Sequence, residues 1–155
     1  MSTDSLRWLA GKWTGEGRGF YPTIDSFEYE EEIEFQRIPN KPVLKYDCKT
    51  WHPVDKTPMH LESGFLKMKP GTNQVAFSIA ENIAITEMSE GTLTDNSLSV
   101  TTQSIGRSGF NKEPSVLKVQ RDYRLTPDGD LEYTISMQTA TQPLQEHLRA
   151  KLKKF

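Results

Sequence analysis

The chain has 155 residues, 35% hydrophobic and 26% charged, with a formal net charge of −2. That length suits one domain, spanning residues 1–155, with a core of its own, and the slightly acidic balance excludes a general nucleic-acid binder, which would carry a basic face. Cys48 is the single cysteine, which excludes an intrachain disulfide and fits a reducing compartment. No apolar run approaches the roughly 18 residues that a membrane helix needs. Residues 1–7 show no apolar signal core, so a cytoplasmic protein that does not enter membranes is expected.

In chain order, residues 4–10 suit one helical turn, with Asp4 or Ser5 as N-cap and Leu6, Trp8 and Leu9 as apolar residues plugging one end of a barrel. Next comes Gly11-Lys12-Trp13-Thr14-Gly15-Glu16-Gly17-Arg18-Gly19. In a strand, Trp13, Gly15, Gly17 and Gly19 share one face. A face stripped of side chains admits either a sharp bend or the close approach of a flat ligand, and Pro22 then ends the pairing. From Phe27 the chain alternates, with Phe27, Tyr29, Ile33 and Phe35 facing inward. Glu28, Glu30, Glu32 and Glu34 form a solvated edge rather than a metal site. The following strand puts Leu44, Tyr46, Cys48 and Thr50 on one side, which makes Cys48 a small buried filler.

Residues 59–69 form a further strand in which His60, Glu62, Gly64 and Leu66 share a side. More strands follow around Val75 to Ile79, Ile83 to Met88 and Leu98 to Thr102. Residues 104–114 carry turn chemistry and form the longest loop. The last hairpin runs over residues 116–125 and 131–139 about a Pro127-Asp128-Gly129 turn. Nine or ten short strands with regular turn signals, and no βα alternation, predict an all-β antiparallel barrel. After it, residues 141–152 suit a helix, with Pro143 in its first turn and lysines at its end. Leu144, His147, Leu148 and Leu152 then form an apolar stripe with His147 inside it. A buried imidazole there is either a satisfied core residue or a ligand, and imidazole is the usual protein donor to haem iron.

The stretch Gly11-x-Trp13-x-Gly15-x-Gly17, continued by Tyr21-Pro22-Thr23-Ile24, resembles the signature of the nitrobindin family. His60-x-Glu62-x-Gly64-Phe65-Leu66 and Gln142-Pro143-Leu144-Gln145-x-His147-Leu148 resemble its middle and carboxyl-terminal segments. The resemblance implies a barrel of about ten strands, similar to fatty-acid-binding proteins and lipocalins, with short terminal helical segments and b-type haem at one mouth. It implies His147 as the axial iron ligand and hence the catalytic and metal-binding residue. It places Thr23 at the haem edge, and Met59 and His60 on the distal face. The implied activity is nitric oxide binding and, in the ferric state, enzymatic isomerisation of peroxynitrite to nitrate. Those small molecules are the expected partners, and the oligomeric state stays open between monomer and homodimer.

Two departures stand out. Glu81-Asn82-Ile83-Ala84 replaces a His or Gln and a small-residue turn, which would bring an ionised carboxylate near the pocket. Lys112-Glu113 is displaced by two residues from the relatives' Lys-Glu-Val, so Lys112 is assigned no contact. The rival reading is a carrier of fatty acids or other apolar ligands, with Arg121 or Arg124 meeting the carboxylate. A hydrolase lacks a nucleophile elbow. His52 and His60, eight residues apart without paired cysteines, do not make a zinc site.

Overall fold

The computed structural model describes residues 3–155. A short 3-10 helix, Thr3–Leu6, leads into ten strands: β1 Gly11–Tyr21, β2 Ile24–Arg37, β3 Val43–Trp51, β4 Pro58–Met68, β5 Gln74–Glu81, β6 Ile85–Leu93, β7 Ser97–Arg107, β8 Val116–Leu125, β9 Leu131–Thr139 and β10 Gln145–Lys154. Each strand pairs with the next, and β10 pairs antiparallel with β1, so the sheet closes and leaves no edge. The capping role foreseen for Asp4 lies outside the described side chains. The turns obey local chemistry; Gly129, at φ +85, supplies the left-handed residue of the Pro-Asp-Gly hairpin.

The alternation that predicts β2 holds, with Tyr29, Ile33 and Phe35 buried. Two expectations are corrected. Residues 104–107 are not loop: β7 runs on to Arg107, which pairs with Ile85, so the irregular segment begins at Ser108. Residues 145–154 are a strand, not a helix. Without β10 the barrel would expose the edges of β1 and β9, and β10 satisfies both, pairing from Trp13↔Lys154 to Gly19↔Leu148 on one side. Closing two edges outweighs a helix propensity that amounts to tenths of a kcal/mol per residue. Ala150 and Leu152 then alternate into the core while Arg149, Lys151 and Lys153 face out.

The glycine face of β1 is taken up within the protein. Gly17 pairs with Tyr29, and a Cβ there would lie 2.2 Å from the Tyr29 ring. The next pair repeats this: a Cβ on Gly19 would meet the Phe27 ring at 2.0 Å. The bare face is therefore a bed for two aromatic rings of β2, not a surface on which a macrocycle lies.

The two ends of the barrel differ. At one, Leu6 and Leu9 plug the opening, fixed by Trp13 Nε1 donating to the Leu9 carbonyl at 3.0 Å and Trp8 Nε1 to the Thr94 carbonyl at 3.0 Å. Below them lie Phe35, Leu44, Leu66, Met68, Phe77 and Leu93, all fully buried. The other end carries the β1–β2, β3–β4, β5–β6, β7–β8 and β9–β10 turns and is open.

Candidate functional site

A cavity of about 300 Å³ enters the open end. Ile83, Ile85, Val116, Ile135, Met137 and Leu148 give it apolar walls, and Met59, His60 and His147 line it as well. Thr23 sits on the β1–β2 turn at the same mouth, solvent-exposed and outside the cavity lining. Ile24 and Ile83 leave about half their surface bare at this rim, which is apolar area available to a ligand wider than the cavity.

His147 reaches the cavity through a β-bulge. The β10–β9 register shifts between Glu146 and Leu148, leaving His147 as the extra residue. Strict alternation would turn His147 outward if Leu148 faces in; the bulge lets both line the cavity. Its Nδ1 lies 3.1 Å from the Phe20 carbonyl, which only accepts, so Nδ1 carries the hydrogen and Nε2 keeps its lone pair. Burial pushes the imidazole below its ordinary value, so it is neutral at pH 7. Tyr21 packs edge-on against the ring with centroids 5.4 Å apart. A neutral imidazole whose second nitrogen is fixed by a backbone carbonyl, beside an apolar cavity, fits the haem iron that the resemblance implies.

Deeper in the barrel lies a polar cluster that the sequence reading did not assemble. Arg121, 2% exposed, donates Nη1 and Nη2 to Glu62 at 3.0 Å each, and Nη2 to Glu87 Oε2 at 2.8 Å. Tyr46 adds a hydrogen bond to Glu62 Oε1 at 2.7 Å. Burial opposes ionisation of Glu62 and Glu87, but the Arg121 guanidinium outweighs it and holds both below the usual carboxylate range. Alongside, Glu31 accepts from Tyr133 at 2.6 Å and from Cys48 Sγ at 3.0 Å. Burial pushes Glu31 up to about 7 and raises the Cys48 thiol well above its ordinary value, so Cys48 is an inert donor, as expected. Glu31 stands in the odd-numbered series that includes Tyr29 and Ile33. The same period-2 rule that found its neighbours places it inward, and only the habit of reading glutamate as exposed hides it.

The cluster lines the inner part of the same cavity, and His60 belongs to it. His60 Nε2 lies 2.8 Å from Glu62 Oε2 and 3.3 Å from Glu81 Oε1. Burial alone would lower the imidazole, but these two carboxyls outweigh it and hold His60 up at about 10. Glu81 is where the sequence places it, on the cavity wall, but it is not the ionised group expected there. Burial, with Glu87 beside it, pushes Glu81 up to about 8, so it keeps its proton at neutral pH. The cluster also removes the carrier's anchor: Arg121 is spanned by two carboxylates, and Arg124 pairs with Glu132.

The known proteins that this chain is similar to agree with the geometry. It is 40% identical over 153 residues to the human protein named peroxynitrite isomerase THAP4, a match covering 97% of this chain and 26% of that one. The chain thus spans about a quarter of that relative's length. Against an Arabidopsis thaliana protein named peroxynitrite isomerase Rv2717c the identity is 38%, over 97% of this chain and 87% of the other. The crystal structure of Rv2717c from M. tuberculosis superposes with a TM-score of 0.88 at 36% identity, covering 100% of this chain and 99% of that one. Residues 2–154 match the family model described as the THAP4-like, heme-binding beta-barrel domain. A closed ten-strand barrel with a histidine poised at its apolar mouth, matched across nearly its whole length, belongs to the THAP4-like haem-binding barrel family, and haem is its cofactor.

Proposed function

We propose that this domain is a haem-dependent peroxynitrite isomerase that also binds nitric oxide, with His147 as the residue that would hold the iron. The observation that carries the reading is the His147 ring itself: neutral, tied at Nδ1 to the Phe20 carbonyl, with Nε2 left for a metal beside the cavity. Relatives that this chain covers over most of their length carry the same activity in their names. Haem supplies a Lewis-acidic, redox-active iron that binds a small ligand. The chain's own residues do the rest. The bulge turns the imidazole into the cavity, the Phe20 carbonyl holds it in one tautomer, and Met59 and His60 line the space where a small ligand is received. Thr23, on the rim turn, is assigned to the haem edge. A single buried thiol supports a reducing, cytoplasmic setting.

Haemin added to the purified protein is expected to give a histidine-ligated absorption spectrum and to raise nitrate yield from peroxynitrite. His147→Ala is expected to lose that spectrum while the barrel stays folded by circular dichroism. Retention of the same axial signature in the variant overturns the assignment. Thr23→Ala removes at most one hydrogen bond at an exposed turn, so haem loss should accelerate by no more than roughly tenfold, or about 1.4 kcal/mol.

A further inference from the structure

The strands that carry His147 and Glu81, β10 and β5, lie five places apart in the ring of ten, directly across the barrel. On that far wall both carboxyls that hold His60 contact the same nitrogen, Nε2. A carboxylate accepts, so Nε2 bears a hydrogen. Nδ1 makes no hydrogen bond among the described residues, and the side chain, 31% exposed against 6% for Glu62 and 9% for Glu81, is more open to the cavity than the carboxyls that hold it. The chemistry of that free nitrogen follows from the charge on the ring. In neutral His60, Nδ1 is an acceptor; in the imidazolium it is a donor.

The surroundings decide which form is present. His60 faces Glu62 on its own strand, Glu81 on β5, Glu87 on β6, Arg121 on β8, Glu31 on β2 and His147 across the cavity; the nearby Tyr46, Cys48 and Tyr133 are neutral. Arg121 meets two ionised partners, Glu62 and Glu87. One further positive charge is needed for neutrality, and His60 is the group placed to carry it. Glu81 is nine-tenths buried, and its Oε2 makes no hydrogen bond among the described residues. Ionising it would strand a charge there.

Building on the haem reading above, we propose that His60 receives an anionic ligand through Nδ1–H, and that Glu81 is the specificity-determining residue, favouring anions only while it holds its proton. The elevated values of both groups are in line with this assignment. Above pH 8, Glu81 adds a negative charge 3.3 Å from His60, and the same pocket turns against anions.

The test uses haem-loaded wild type, Glu81→Gln and His60→Phe, with azide as the anionic probe of the ferric state and carbon monoxide as the neutral probe of the ferrous state, from pH 6 to 9.5. Glu81→Gln is expected to match wild type for azide at pH 6.5 and to bind it about fivefold more tightly at pH 9, as one removed charge at this range implies. Carbon monoxide affinity should not move. His60→Phe is expected to weaken azide at pH 6.5 and leave carbon monoxide unchanged. In the haem-free protein, side-chain 15N NMR should show both His60 nitrogens protonated at pH 7. Glu31 ionises in the same window, but it is common to wild type and Glu81→Gln and cancels in their ratio. Identical azide profiles in wild type and Glu81→Gln, or a neutral His60 at pH 7, overturn the proposal even if His60→Phe fails to fold. Wild type that fails to take up haem overturns the site reading instead.

Discussion

The plugged end and the open end of this barrel are built on opposite principles. Leu6, Leu9, Trp13 and Phe35 are apolar side chains whose one polar atom, Trp13 Nε1, is satisfied by a single backbone carbonyl. Toward the mouth, the interior holds Arg121, Glu62, Glu87, Glu31 and His60, groups whose removal from water is costly. Burial per residue is similar, yet the first end earns stability from it and the second largely breaks even. A closed sheet can carry such a cluster because its apolar half holds the strands in register regardless of the polar one.

The comparison breaks most sharply at Arg121. Arg121→Met leaves Glu87 without its cation and Glu62 with His60 alone, and urea unfolding should show a loss of about 3–5 kcal/mol. The triple variant Arg121→Met, Glu62→Gln, Glu87→Gln should recover part of that loss, which separates stranded charge from lost packing. At the plugged end, Leu9→Ala should cost roughly 2–4 kcal/mol through the void it opens, with the absorption spectrum of bound haem unchanged. Gly17→Val is expected to cost about 1–3 kcal/mol, because the Tyr29 ring occupies the space the new side chain would need. A smaller Gly17→Ala penalty, measured in the same way, would sharpen that cause.

The mildest test is pH. His60, Glu81 and Glu31 all have folded-state values above their ordinary ones, so the stability they contribute is present at low pH and lost as pH rises through about 7, 8 and 10 in turn. Glu62 and Glu87 act in the opposite sense, and their contribution disappears below the ordinary carboxylate range. Thermal midpoints should therefore be highest near the ordinary carboxylate value, about pH 4–5, and decline toward pH 10. The decline above pH 7 should be shallower in Glu81→Gln.

Much of the fold was legible because period-2 alternation and turn chemistry are local. The Pro-Asp-Gly hairpin, the inward Phe27-Tyr29-Ile33-Phe35 series and the plug all follow from neighbours in sequence. Residues 145–154 were not legible in that way, since their helix-like spacing is overridden by two distant strands in need of a partner. His147 emerged as a candidate on the wrong element: the helical stripe put it inside, whereas a one-residue bulge puts it there in fact. Glu81 was correctly placed and wrongly charged, because its proton is kept by burial and by Glu87 against the pull of His60, and only the closed barrel supplies these. The bed beneath Tyr29 and Phe27 is the converse case. Glycine spacing announced a vacancy, but only the register of β2 showed which rings fill it.

The bond from His147 to the Phe20 carbonyl ties β10 to β1, across the seam where the first and last strands meet. Whatever coordinates Nε2 is thereby a rivet on that seam. Prising β10 from β1 must loosen the imidazole, and occupying the imidazole must hold the seam shut, since a ligand that binds only the closed form stabilises it by mass action. Amide hydrogen exchange along β1 and β10 should therefore slow on haem binding more than exchange along β5 and β6, making cofactor retention a direct readout of how often the barrel unzips.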